Sequence, residues 1–311
     1  MSVRPPKSRF KENIMQIERA GVVAVVGRPN AGKSTLINHL CGEKVAIVTP
    51  KPQTTRLRLC AVCNRPPVQM VLIDTPGFHT PRTKLGKMMV RTVRESVHDV
   101  DAAVLVIEPV PSVGDIERNL IMQCNKPAFP FYLAINKIDT LPRENLLPII
   151  AAYQNEADFA AILPLSAKKG DGVEALAELL LEAMPASPAL FPEGMMTDQT
   201  DQVLISETVR EKLLICLDDE VPHGAAVTVE RLSERKRDGL VEIEAVITCE
   251  KESHKGIVIG KNGAMLKKIG SLARAELEEM YEGPVFLKLW VRVREGWRDN
   301  DAQLRNFGFR Q

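Results

Sequence analysis

The stretch Gly27-x-x-x-x-Gly32-Lys33-Ser34 gathers two glycines, an ammonium and a hydroxyl at one turn of the chain. Glycines at this spacing let backbone amides point inward around an oxyanion. Lys33 offers a point charge to β and γ phosphate oxygens, and the Ser34 hydroxyl offers an oxygen to Mg²⁺. The loop Arg28, Pro29, Asn30, Ala31 and the following Thr35 complete the cradle. Its context agrees. Residues 22–26, VVAVV, form a β-branched apolar run expected of a buried parallel strand, and LINHLCG continues as a helix. The helix N-terminus adds partial positive charge toward bound phosphates.

A phosphate loop alone does not choose among kinase, ATPase and GTPase. Three further motifs do, and each ends an apolar run that reads as a strand. In an open α/β sheet that is the edge where ligands bind. Asp74-Thr75-Pro76-Gly77 puts an acid where it can hold Mg²⁺, usually through water, and Gly77 leaves room for an amide to meet the γ-phosphate. Asn136-Lys137-Ile138-Asp139 reads the base. A carboxylate accepts from guanine N1–H and the exocyclic amine together, and adenine lacks that paired donor edge. Two charge-assisted bonds imply roughly 3–6 kcal/mol of discrimination against ATP. Asn136 can tether the base edge and neighbouring loops, and the Lys137 stem can cover the ring. Ser166-Ala167-Lys168 follows a third strand, with the Ala167 amide in reach of guanine O6.

In this order the motifs GRPNAGKS, QTTR (53–56), DTPG, NKID and SAK resemble a translation-factor-class GTPase of the Era family, from about residue 20 to the end. The resemblance implies GTP hydrolysed to GDP and phosphate. Matching QTTR puts the switch I threonine at Thr55, with Thr54 its close rival, meeting Mg²⁺ beside Ser34 and Asp74 while the γ-phosphate is present. Phe78 follows DTPG, where Ras-like enzymes carry the glutamine that orients water, and a phenyl ring cannot do that. The resemblance therefore assigns catalysis to Lys33, Thr55 and Asn30. Asn30 matches an asparagine that helps some relatives bind K⁺ near the phosphates, against the rival reading that it only braces the loop.

Further along the chain, composition changes after the helix GVEALAELLLEAM. Residues 1–19 read as an N-terminal extension, 20–184 as the nucleotide domain, 185–202 (proline-rich) as a linker and 203–311 as a second unit. That unit reads helix, strand, strand, helix, Gly260-Lys261-Asn262-Gly263, helix, strand. This is the order of a type II KH domain, whose Gly-x-x-Gly loop clamps about four nucleotides. Lys255, Lys261, Lys267 and Lys268 lie around the loop, with Lys251 and Arg274 further out and Glu250 and Glu252 opposing them. The expected fold is therefore α/β, a P-loop domain with a mostly parallel sheet and helices on both faces, followed by an α+β KH domain. Trp297 reads as packing the tail on this unit.

The resemblance implies further that the module recognises the 3′ end of small-subunit ribosomal RNA and that the chain assists assembly of the 30S subunit. An assembly factor that binds RNA and uses nucleotide only structurally is the alternative. A tRNA-modification relative is disfavoured, since no C-terminal cysteine motif is present. Composition sets outer limits. With a net charge of +1, any RNA surface is a local patch. Cys60-Ala61-Val62-Cys63 has no second pair to complete a zinc site, and in a strand its thiols face opposite sides, so buried reduced thiols are expected. No secretory or membrane-spanning run is read, and a cytoplasmic monomer is expected. The resemblance also allows peripheral contact with the inner face of the cell membrane.

Overall fold

The structure is a computed structural model, and it describes residues 17–51, 54–78, 83–125, 129–218, 221 and 224–309. Most of the N-terminal extension and Gln53 of the QTTR motif lie outside the described residues. The chain divides into two compact units, one made of residues 11–82 and 86–198 and the other of the residues from Gln199 onward together with Thr83–Leu85.

The first unit is a six-stranded sheet ordered β2-β3-β1-β4-β5-β6. Its strands are β1 (Arg19–Gly27), β2 (Leu59–Arg65), β3 (Val68–Asp74), β4 (Ala102–Ile107), β5 (Phe131–Ile135) and β6 (Ala161–Pro164). Only the β2–β3 pair is antiparallel. Strand alternation splits the apolar residues into two cores. Val23 and Val25 pack toward α1 (Lys33–Cys41) and α5 (Val173–Ala183). Ala24 and Val26 pack toward α2 (Lys84–Glu95), α3 (Asp115–Cys124) and α4 (Leu146–Tyr153). Burial on both faces explains why these strands are continuous Val/Ile/Leu runs. Parallel strands bring the C-terminal ends of β1, β3, β5 and β6 to one edge, and each of the four motifs begins there.

The stretch read as a linker is tied to this unit over much of its length. Ala186 bridges Arg19, and the Leu190 and Phe191 amides donate to Gln69 Oε1 at 2.8 and 2.9 Å. The Val62 amide donates to Met196 O, and the Cys60 amide to Asp198 Oδ1 at 3.0 Å. Edge strand β2 would otherwise leave its amides open, and the proline-rich segment satisfies them. Cys60 and Cys63 are both buried free thiols on β2.

The second unit begins at α6 (Asp201–Cys216) and continues through β7 (Ala226–Arg235), β8 (Leu240–Cys249), α7 (Glu252–Ile259), α8 (Ala264–Met280) and β9 (Val285–Val293), ending in α9 (Asp301–Asn306). Its sheet is ordered β7-β8-β9, with β7–β8 antiparallel and β8–β9 parallel. Val209 and Leu213 of α6 and Ile269 and Ala273 of α8 cover one face of the sheet, packed with Ala245 and Ile247. Trp297 is fully buried, donates from Nε1 to Gly224 O at 3.0 Å and meets Phe307 edge-on. It packs the tail, the reading favoured from the sequence. Among the described residues no helix is long and apolar enough to cross a membrane.

Candidate functional site

At the C-terminal edge of the larger sheet the phosphate loop closes on itself. Lys33 is buried and donates from Nζ to Gly27 O at 3.2 Å and Arg28 O at 2.9 Å. Burial away from water pushes its ammonium down to about 8. An ammonium held in this way is short of counter-charge, and phosphate oxygens would supply it. Gly32, the N-cap of α1, has no side-chain acceptor, so first-turn amides remain for an anion. A Cβ at Gly32 would lie 2.1 Å from Asn136 Nδ2, so only glycine lets these two motifs touch.

Three oxygens converge beside the lysine. Ser34 Oγ lies 2.7 Å from Asp74 Oδ2 and 2.9 Å from Thr55 Oγ1, and Thr55 Oγ1 donates to Asp74 Oδ2 at 3.2 Å. Asp74 is fully buried, and its Oδ1 has no hydrogen-bond partner among the described residues. Desolvation pushes its carboxyl above the ordinary range, although Lys33 opposes this. Two hydroxyls and a carboxylate with one free oxygen are hard donors suited to Mg²⁺. The residues therefore fit that ion. The rival Thr54 is elsewhere: its hydroxyl is 2.7 Å from Thr49 Oγ1 and donates to Lys51 O at 2.6 Å. Geometry separates two threonines that the sequence left in competition.

The remaining loop residues have visible anchors. Asn30 is exposed at a positive φ of 64° and donates from Nδ2 to Pro50 O at 3.0 Å, which ties the phosphate loop to the segment carrying Thr55. Arg28 forms a two-pronged ion pair with the buried carboxylate of Glu117 on α3. Asn38 of α1 receives the Val45 and Ala46 amides at 2.9 and 2.8 Å and returns a bond to Ala46 O. Sequence reading missed Glu117 and Asn38, because neither belongs to a motif and both act across long loops. Thr75 Oγ1 donates to Val25 O at 2.9 Å, and the Phe78 amide donates to Gly27 O at 3.1 Å. The Phe78 ring is buried in the core under α2, away from any water-orienting role.

The base-reading motifs meet next to the loop. Asn136 donates to Ala31 O at 2.7 Å and accepts the Ala167 amide at 2.9 Å, both buried. The amide expected to reach guanine O6 is thus engaged by Asn136 in this structure. Asp139 is exposed, and the Ser166 hydroxyl donates to its Oδ1 at 2.7 Å. That bond holds the carboxyl below the usual range, so it is charged at neutral pH. Lys137 sits in left-handed backbone and pairs with Glu108. Ile138 donates its amide to Leu165 O at 3.3 Å, fixing the turn, and Lys168 is exposed.

In the second unit, Gly260-Lys261-Asn262-Gly263 joins α7 to α8. Gly260 has φ 71° and ψ 175°, a region essentially closed to other residues, and a Cβ there would lie 2.7 Å from Met265 Cβ. Gly263 has φ 77° and ψ 8°, with open space where a Cβ would go. Lys261, Lys267 and Lys268 are exposed and form no ion pair among the described residues. Lys255 lies 3.7 Å from Glu252, and Arg274 lies 3.7 Å from Glu278. The turn therefore offers bare backbone and free charge together.

Comparison with known proteins bears on both units. Residues 22–137 match the model of the 50S ribosome-binding GTPase family, and residues 220–298 match the KH domain. GTPase Era of Ruminiclostridium cellulolyticum is 46% identical over 292 residues, covering 94% of this chain and 98% of that protein. GTPase Era of Geobacter metallireducens is 44% identical, covering 94% and 98%. A crystal structure of Era with MgGDPNP and nucleotides 1506–1542 of 16S ribosomal RNA superposes at a TM-score of 0.90 with 36% identity, over 94% of this chain and all of that one. A single-residue variant of Aquifex aeolicus Era bound to GDP·AlF₄⁻ superposes at 0.89, also with 36% identity, over the same shares. A mostly parallel P-loop sheet, a Gly-x-x-Gly module and identity at this level along nearly the whole length have one common source: the chain belongs to the Era family of GTPases.

Proposed function

We propose that this chain is a guanine-nucleotide switch that hydrolyses GTP to GDP and phosphate and holds the 3′ end region of small-subunit ribosomal RNA during 30S assembly. The observation that carries the reading is the buried Asp74 carboxylate, with one open oxygen, beside the Ser34 and Thr55 hydroxyls and the charge-starved Lys33. The RNA component follows the relative whose structure contains nucleotides 1506–1542 of 16S ribosomal RNA.

In this reading the amides of residues 27–35 and Lys33 hold the β and γ phosphates. Asp139, kept ionised by Ser166, accepts the guanine donor edge, and Asn136 locks that loop to Ala31. Ser34, Thr55 and Asp74 would hold Mg²⁺, which would supply charge neutralisation to the phosphates. Thr55 joins this set only while its loop is drawn in, and Asn30 helps to draw it through Pro50. With Phe78 buried, no side chain is assigned as general base. Water must be positioned by backbone, and the rate depends on charge stabilisation. Asn30 is the residue through which K⁺ would add such charge: its Nδ2 is spent on Pro50, so its carbonyl oxygen is the atom available to a cation. Turnover unchanged when Na⁺ replaces K⁺ would reject that role.

Lys255, Gly260, Lys261, Asn262, Gly263, Lys267 and Lys268 form the RNA clamp. The chain acts as a cytoplasmic monomer that meets the 30S subunit, and its contact with membranes is testable by flotation with anionic vesicles. The deciding experiment measures affinity for an RNA copying the 3′ end of 16S ribosomal RNA, beside a scrambled RNA, at one stated salt concentration. It is run with GDP and with a non-hydrolysable GTP analogue. Tighter, sequence-selective binding with the analogue supports the switch. Equal binding in both states favours the alternative, in which nucleotide is structural.

A further inference from the structure

Strand β9 carries a feature that neither the nucleotide site nor the Gly-x-x-Gly turn uses. Its residues alternate. Leu287, Leu289 and Val291 turn inward and pack on the core of the second unit. Phe286, Lys288, Trp290 and Arg292 face outward, with Phe286 54% and Trp290 51% exposed. No other phenylalanine, tyrosine or tryptophan among the described residues is exposed to this degree as a large apolar side chain. Successive outward residues stand about 6.6 Å apart along the strand. Helices α6 and α8 cover the opposite face.

We propose that this outward face of β9 is a second RNA contact, on which Phe286 and Trp290 stack unpaired bases and Lys288 meets the phosphates between them. The inference rests on the RNA-binding reading above. Four observations carry it. Lys288 lies over one face of the Trp290 ring, 4.5 Å from its centroid, which leaves the other face for a base, and it forms no ion pair among the described residues, so no carboxylate neutralises its charge. The acids across the sheet are already engaged: Glu242 with Arg235, Glu244 at 4.0 Å from Arg231, and Glu230 with Arg292 at 3.1 Å. The net free charge of the row is therefore positive. Aromatic rings on an open sheet face, with a cation between them, are the arrangement on which single-stranded bases stack without sequence preference. A protein partner fits less well, because a lysine at the centre of the patch is the residue type that protein interfaces avoid. Finally, β9 is the edge strand of its sheet and packs against both α7 and α8, the helices that carry the Gly-x-x-Gly turn. A strand of RNA leaving the turn reaches the outward face by rounding that edge.

The chain has two tryptophans, and Trp297 is fully buried, so emission that responds to RNA reports Trp290. The full chain is titrated with an RNA copying nucleotides 1506–1542 of 16S ribosomal RNA, followed both by tryptophan emission and by an independent affinity assay. Quenching of the wild type is expected, with loss of the quench and about tenfold weaker binding in Trp290→Ala. Trp290→Phe should retain most of the affinity, because stacking needs a ring rather than an indole. The residue is exposed, so far-UV circular dichroism should be unchanged. Tight binding that Gly263→Asp abolishes, with no quench and no loss in Trp290→Ala, would overturn the β9 contact while leaving the clamp intact. No binding of this RNA by the wild type would overturn both. A quench with equal losses in Trp290→Ala and Trp290→Phe would also overturn the stacking role.

Discussion

The nucleotide site and the Gly-x-x-Gly turn recognise phosphate by opposite means. At the phosphate end of the nucleotide site the polar groups are buried and already committed to neighbouring protein atoms. Lys33 is bound to two carbonyls, Asp74 to two hydroxyls and Asn136 to two loops. At the turn almost nothing is committed. The Gly260 backbone is held where only glycine fits readily, space lies where a Gly263 side chain would be, and Lys261, Lys267 and Lys268 are exposed and form no ion pair among the described residues. A preorganised, dry site stabilises a developing charge strongly, because its dipoles need not reorient. An exposed turn gives modest affinity that salt weakens. That contrast suits a fixed reaction on one side and a releasable grip on the other.

The sharpest way to break the comparison is Lys33→Ala. It should lower single-turnover GTP hydrolysis about 10²- to 10³-fold, the cost of removing one preorganised stabiliser. A loss below tenfold would mean that the site is not prewired around this lysine. Asp139→Asn comes next. It removes the charge from both bonds to guanine and should weaken GDP binding about a hundredfold by calorimetry. Thermal stability should change little, because the side chain is exposed.

At the turn the expected effects are smaller. Gly263→Asp should weaken RNA binding at least tenfold. Gly263→Asn, which tolerates left-handed backbone without adding charge, should lose only a fewfold. Equal losses would show that backbone strain, rather than charge, decides the grip.

The smallest effect is a pH dependence. Burial holds Lys33 near 8 without phosphates, against an ordinary 10.5. Bound phosphates favour the charged form, so binding above pH 8 takes up a proton. Affinity for GDP should fall as pH rises past about 8, by at most tenfold per unit. Between 8 and 10.5 the unfolded lysine keeps a proton that the folded one has released. The nucleotide-free fold therefore gains stability there, whereas below 8 the cost of burying the charge is fully present. Lys33→Met should abolish both slopes. Calorimetry in buffers of different ionisation enthalpy reads the first, and thermal melting across the same pH range reads the second.

What could be read from the chain alone follows from locality. The phosphate loop, DTPG, NKID, SAK and Gly-x-x-Gly are short, and each needs particular residue types for steric or electronic reasons, so sequence exposes them. The strands before the phosphate loop, DTPG and NKID are legible because burial on both faces demands continuous apolar runs. Chemistry denied Phe78 a water-orienting role, since a phenyl ring has no hydrogen-bonding atom, whereas Trp297 could be read either as a base-stacking or as a packing residue, with packing favoured.

Tertiary structure decided the rest, wherever partners lie far apart in sequence. Thr55 rather than Thr54 meets Ser34 and Asp74, because the loop folds back across the end of β3. Glu117 anchors Arg28, and Asn38 braces the loop that follows α1, although neither stands in a motif. The proline-rich stretch after Met184 has linker composition, yet it satisfies the edge of β2, because an unpaired strand edge accepts any backbone that can reach it. The alternation along β9 was not among the features read from the sequence. That its aromatic face would stand open, with its neighbouring acids already paired across the sheet, depended on the register of three strands, and no single segment encodes that.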